Sequence, residues 1–367
     1  MYFHAQQCIV VEYKNKYQLR FRSSVILRAV SHSEYRILKA IPFSSSFVEV
    51  AKRAGFSPSY VGYKIRKMEK LMWFRFLVDY KSIGLSSMYI NAKDVPSLNR
   101  FFSTNRVPFV KRVFKAWDRT GPKIFLEVNP PLGMERRFAS LLPVSVENLW
   151  IKEWEVKYVP SENLLVKHDG GSLSINWRNF LSKVNTFESG FEVKMLAPIK
   201  IDKMDLLILR EKELFCFASL SEIGRKLKVP QQVVSYHFRN HLKSAWLLNY
   251  VEPKLFSFPV IYRVKTNDDE ATLPLLQAFA CIPGLIDAFI PHNEDRVLIL
   301  IIDINPEELR EMHSALHTLQ NVKESELVAY IDPASITYHG LTAHLCLNGD
   351  TWSFNSLNEV LKEAFSS

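Results

Sequence analysis

Two stretches of the chain place hydrogen-bonding and cationic side chains at helical spacing: "YVGYKIRKMEK", starting at Tyr60, and "VVSYHFRNHLK", starting at Val233. Read as helices, each carries an apolar stripe that would face a core. The stripe is Val61, Ile65 and Met68 in the first and Val234, Phe238 and Leu242 in the second. The other side holds Ser59, Tyr60, Tyr63, Lys64, Arg66 and Lys67 in one case. In the other it holds Gln231, Gln232, Ser235, Tyr236, His237, Arg239 and Asn240. Arginine forks onto a guanine edge, glutamine and asparagine pair with adenine, and lysine neutralises phosphate, so such faces suit duplex DNA. The competing reading is a solvated basic face that touches nothing. Charge distribution favours DNA: segment 47–75 has seven Lys/Arg against two acids, and 219–246 has five against one. Segment 258–338 reverses this, with five against thirteen, whereas the segment around 81–161 has about twelve against seven.

Other chemistries have little to stand on. Cys8, Cys216, Cys281 and Cys346 lie far apart with no CxxC pair, which fits buried thiols in a reducing compartment and no zinc site. No Walker loop, Gly-x-Ser-x-Gly, His-Glu-x-x-His or dinucleotide fingerprint occurs. The expectation is therefore a protein that is not an enzyme and needs no metal or cofactor. No apolar run is long enough to span a bilayer and no secretory signal opens the chain, so a cytoplasmic location is expected. A net charge of +9 fits an anionic partner.

The elements that must carry these helices occur twice. Segments 48–71 and 220–243 align with a shift near 173, and in each a proline, Pro58 or Pro230, is placed at the first helical position. Ser57 is the expected N-cap of the first helix and joins the DNA-facing set, whereas Val229 is a poor cap for the second. Upstream helices, 33–41 and 203–214, and β-prone runs, 73–80 and 246–253, complete two winged helix-turn-helix patterns. Each pattern leads into a strand–helix–strand–strand–helix–strand series, the split ferredoxin-like order. The expected fold is α+β with these boundaries: an N-terminal extension, 1–30; winged helix-turn-helix units, 31–80 and 201–253; ferredoxin-like domains, 81–161 and 254–338; a linker, 162–200, with a small helix or hairpin; and a C-terminal extension, 339–367.

The runs "IDKMDLLILRE" (201–211), "SLSEIGRKLKVPQQVVSYHFR" (219–239) and "FLVDYKSIGL" (76–85), with the strand order, resemble the leucine-responsive/asparagine-regulator (Lrp/AsnC, feast/famine) family. The resemblance covers both halves, the second more closely. It implies a transcription regulator whose α/β domains dimerise and bind a small effector. The family's effector turn carries Gly-x-x-Asp; here "HNEDR" (292–296) keeps an acid, Asp295, beside His292, but lacks the glycine. Those two residues are the expected effector contacts. Two unlike readers in one chain imply an intrachain pseudo-dimer, or a homodimer with four readers, and unlike half-sites. A similar architecture occurs in sirohaem decarboxylases, which need His and Arg around a large tetrapyrrole pocket; His237, His241, His292, His313 and His317 form no evident constellation by spacing. A weakly specific DNA-binding or recruitment protein is the remaining alternative.

Overall fold

A computed structural model describes residues 30–160, 166–169, 172–177, 179–180, 184, 196–254, 257–349 and 351–365. The expected N-terminal extension, Val30 apart, lies outside the described residues, as do Cys8 and most of the linker.

The first three-helix unit comprises α1 (His32–Ala40), α2 (Phe47–Ala54) and α3 (Pro58–Met68), followed by strand β1 (Met72–Val78). Local chemistry sets each start. Ser31 and Glu34 form a capping box on α1; Ser46 caps α2; Ser57 accepts from the Tyr60 N–H with Pro58 at the first position of α3. The α2–α3 turn needs a left-handed residue, and Gly55, at φ 70°, supplies it.

The first α/β series then runs β2 (Met88–Lys93), α4 (Pro96–Thr104), β3 (Val110–Asp118), β4 (Gly121–Val128), α5 (Glu135–Leu141) and β5 (Val146–Val156). A short hairpin, β6 (Val166–Asp169) with β7 (Ser172–Ile175), lies in the linker. The second unit is α6 (Lys203–Leu214), α7 (Leu220–Leu227), α8 (Gln231–His237) and β8 (Trp246–Pro253). Pro230 precedes α8 as a cap without a side-chain bond, one residue earlier than expected, and a π-helical turn, Phe238–Leu242, extends α8. The second series is β9 (Pro259–Thr266), α9 (Asp269–Phe279), β10 (Leu285–Pro291), β11 (Val297–Asp303), α10 (Pro306–Thr318) and β12 (Val322–Ile331). Beyond it come the short strands β13 (Thr337–Tyr338), β14 (Leu347–Asn348) and β15 (Thr351–Trp352), then helix α11 (Asn355–Phe365).

Pairing joins the two halves at two levels. Strands β1 and β8 form an antiparallel ribbon from Met72↔Pro253 to Val78↔Trp246, so the three-helix units share one small sheet. Phe76 stacks on Trp246 at 5.8 Å across it. The α/β series form a large antiparallel sheet in the order β12-β9-β11-β10-β5-β2-β4-β3-β13, and β12 also pairs with β3. That last pairing, Tyr330↔Trp117 and Ile331↔Ala116, closes eight strands into a ring, removing both open edges. The other joint is β10 with β5, where Ala288 faces Val156. Helices cover the outside; Tyr89, Phe114, Phe125, Trp150, Phe289, Ile299 and Ile301 form a separate buried cluster of ring residues. The result is a mixed α+β fold with a large antiparallel sheet.

Candidate functional site

The outward faces of α3 and α8 are the first candidate. On α3, Val61, Ile65 and Met68 are buried as the stripe requires, while Ser57, Ser59, Tyr63, Arg66 and Lys67 are exposed. Tyr60 and Lys64 depart from the expected outward set and tie α3 back to α1. The Tyr60 hydroxyl bonds Ser33 at 3.2 Å, and Lys64 Nζ lies 3.0 Å from Glu34. On α8, Gln231, Gln232, Tyr236, Arg239 and Asn240 are exposed and Ser235 is half-buried. These six residues line one open groove of about 500 Å³. His237 also departs from the outward set: its Nδ1 lies 3.0 Å from the buried carboxylate of Asp205 on α6.

The repeat makes these placements comparable. With the shift of 173, Tyr63 and Arg66 correspond to Tyr236 and Arg239. Both tyrosines are more than half exposed, at 65% and 59%, although a large ring is normally covered when it has only a packing role. Ser57 corresponds to Pro230, which explains why α8 starts without a capping side chain.

The second candidate was not foreseen. Arg75, Lys111, Arg112, Lys152 and Lys157 meet Glu127, Glu213, Glu252 and Asp287 in the interior, with Glu155 at the rim. By strand alternation, residues 112, 127, 152 and 287 share the inward face with Phe114, Phe125, Trp150 and Phe289. The charges thus form a polar layer next to the aromatic filling of the ring. Lys152 Nζ lies 2.7 Å from Asp287, 2.7 Å from Glu155 and 3.3 Å from Glu127. Arg112 and Arg75 both reach Glu252, at 3.0 and 2.8 Å, linking the ring to the ribbon. Tyr80 joins by bonding Glu213 and accepting from Lys111 at 2.5 Å. Burial pushes Glu127 up, but Lys152, Lys157, Lys111 and Arg112 outweigh it and hold this carboxyl well below the usual range. Glu155 is lowered by the same competition between burial and Lys152 and Lys157. Burial and then Glu213 raise the Tyr80 phenol well above its ordinary value. The layer also answers the charge excess of the first α/β series: Lys111, Arg112, Lys152 and Lys157 are buried and compensated. Sequence reading had no signal for it, because a charged residue on an alternating strand reads as solvent-facing.

One cleft opens beside this layer. It measures about 330 Å³ and is lined by Tyr80, Lys81, Lys152, Glu153 and Glu155, with Asp79, Trp154 and Leu196 among its other walls. The proposed effector pair lies elsewhere. His292 and Asp295 are exposed on the turn between β10 and β11, and the closest ionic neighbour of His292 is Glu153 at 3.7 Å. Arg296 takes the left-handed conformation there, φ 59°, in a turn without glycine. Cys216, Cys281 and Cys346 are buried, and burial pushes the Cys346 thiol up to about 11. Among the described residues no helix is long and apolar enough to cross a membrane.

No family model and no curated protein matches the chain, so the regulator resemblance stands on the residues quoted for it. Solved structures do match. One is the crystal structure of the siroheme decarboxylase NirDL, 12% identical, with a TM-score of 0.49, covering 91% of this chain and 98% of that one. Another is the same decarboxylase in co-complex with an iron-uroporphyrin III analogue, 12% identical, with a TM-score of 0.43 and coverage of 91% and 99%. The expectation that the chain is not an enzyme is corrected here, because the solved structures it resembles along nearly its whole length are enzymes. What the comparisons give this chain is an α+β architecture like that of a decarboxylase.

Proposed function

We propose that the chain binds duplex DNA through two winged helix-turn-helix units, 31–80 and 201–253, held as an intrachain pseudo-dimer above ferredoxin-like domains 81–161 and 254–338. Residues 162–200 act as linker and 339–367 as an extension. The observation that carries this reading is the recurrence of an exposed tyrosine–arginine pair, Tyr63 with Arg66 and Tyr236 with Arg239, at matching repeat positions. The β1–β8 ribbon fixes the two units relative to each other, as a reader of paired half-sites requires. Lys67 beside the first pair and Gln231, Gln232 and Asn240 beside the second make the two faces unlike, so unlike half-sites are expected. The test is selection of bound duplexes from a random pool, followed by affinity measurements against salt concentration. Arg66→Ala and Arg239→Ala should each weaken binding by about 1–3 kcal/mol if the arginine reads a base. Unchanged affinity and salt slope in both variants refutes the reading.

A second reading is enzymatic, favoured by the cleft. Ionisable groups with displaced pKa values in a concave site mark an acid–base centre, and Tyr80 and Glu155 sit in its wall. Lys81 and Lys152 would hold a carboxylate. Asp79, Glu153 and Glu155 oppose them, which suits a small substrate carrying both signs better than a polycarboxylate macrocycle. The siroheme decarboxylases supply the first substrate to try. Incubation with siroheme, read by its absorption band and by the product mass, decides. Loss of carbon dioxide from the substrate, abolished by Lys152→Met, would establish this reading; no spectral change and no turnover would remove siroheme.

A further inference from the structure

Asp205 sits at the start of α6, where it forms a capping box with Asp202 and receives its N–H at 2.9 Å. Its carboxylate is fully buried and faces two imidazoles from the helix across from it. His237 Nδ1 is 3.0 Å from Oδ1, and His241 Nδ1 is 2.8 Å from Oδ2. The ligand atoms of all three residues lie within 4.8 Å of one another. Their rings are 5.5 Å apart and nearly perpendicular, an arrangement that points lone pairs at a common centre instead of stacking the rings.

The sister unit shows what this position holds when it is only a helix tie. There Glu34, equivalent to Asp205, makes a single ion pair with Lys64, equivalent to His237, and buried Met68 stands where His241 does. The second unit has replaced a lysine and a methionine by two imidazoles. It also inserts a π turn, Phe238–Leu242, immediately after His237, a distortion the sister helix α3 lacks and one that recurs at functional sites. One lysine suffices for a tie; two imidazoles on one buried carboxylate are a ligand set.

We propose that Asp205, His237 and His241 form a binding site for one borderline divalent cation, of which zinc is the best fit. Two imidazole nitrogens and one carboxylate oxygen make the three-protein-ligand set of an open tetrahedral centre. A tetrahedral centre with bonds of about 2.0–2.1 Å separates its ligands by about 3.3 Å, so the printed 2.8–3.0 Å gaps need to widen only slightly. Both imidazoles give up the Nδ1 proton on binding. Asp202, whose carboxylate is 3.7 Å from His237 Nδ1 and half exposed, stands beside the fourth position, which it or water fills. His237 and His241 are 14% and 28% exposed, which gives the ion a way in. The site bridges α6 and α8, and its existence does not depend on what α8 touches.

The test uses the full chain stripped with a chelator and titrated with cobalt(II), then zinc(II). One equivalent of cobalt should develop the intense visible bands of tetrahedral coordination, zinc should bleach them, and thermal stability should rise with zinc. His241→Met, which installs the sister unit's residue, and Asp205→Asn should each lose the bands. His317→Gln, in the other histidine pair of i,i+4 spacing, should keep them. Circular dichroism of the metal-free variants separates loss of a ligand from loss of fold. Absence of tetrahedral cobalt bands in the wild type, or bands that persist in folded His241→Met, overturns the proposal.

Discussion

Lys152→Met removes one cation from the polar layer and keeps the length of the side chain. In the wild type Lys152 neutralises Asp287, Glu155 and Glu127 from within 3.3 Å, in a site that water does not reach. Removing one partner of a buried ion pair leaves carboxylates uncompensated and costs about 3–5 kcal/mol. At about 2 °C per kcal/mol for a long chain, the melting temperature should drop by about 6–10 °C. Arg263→Met is the control, because its partners Glu294 and Glu326 are partly solvated and such pairs contribute about 0–1 kcal/mol. Acid adds a second readout. Glu127 and Glu155 titrate lower in the folded protein than the usual 4.5, so their stabilisation is present above that value and is lost as pH falls through their folded values. In the variant, Glu127 and Glu155 have lost a main source of that depression. The gap in stability between wild type and variant should therefore be widest at neutral pH and narrow on acidification. Urea denaturation at several pH values measures it. A neutral-pH loss below about 1 kcal/mol, equal to that of the Arg263 control, would refute the view that the layer is a mutually dependent network.

Lys228 ends α7 at φ 57°, where the repeat's other copy has Gly55 at φ 70°. Lys228→Gly should stabilise by about 0.5–1 kcal/mol in thermal or chemical denaturation, since a side chain there carries left-handed strain. A Cβ on Gly224 would meet the Val229 carbonyl oxygen at 2.8 Å, so Gly224→Ala should force α7 and α8 apart and cost about 1–3 kcal/mol by the same assay. For duplex DNA, Lys67→Ala should lower affinity for all sequences alike and reduce the salt slope by about one unit, whereas Gln232→Ala should change sequence preference more than slope.

The repeat was readable because helix periodicity and strand order are local. Val61, Ile65 and Met68 announced the buried side of α3, and Ser57 with Pro58 marked where it begins. Ring closure was not readable, because the contacts of β3 with β12 and of β5 with β10 have no sequence signature; any two compatible strand edges would look the same. The inward turn of His237 was hidden for a related reason. A polar residue beside an apolar stripe reads as exposed until the opposite helix is known to offer Asp205, although the Glu34–Lys64 pair at matching positions shows that the repeat already carried a tie there. Arg112 lies in the run "KRVFKAW" and looks like a surface cation; only Glu127 and Glu252, one from each half of the chain, show why it is inside.

Joining β3 to β12 also sets a timetable for biosynthesis. Trp117 and Ala116 emerge early, but Tyr330 and Ile331, their ladder partners, come close to the end of the chain. At ribosomal speeds of about 5–20 residues per second, the intervening stretch of roughly 215 residues takes about 10–40 s. For that interval the nascent first half presents an unsatisfied backbone rim that a neighbouring nascent copy can occupy, so yield should fall with expression rate more steeply than native stability alone would dictate.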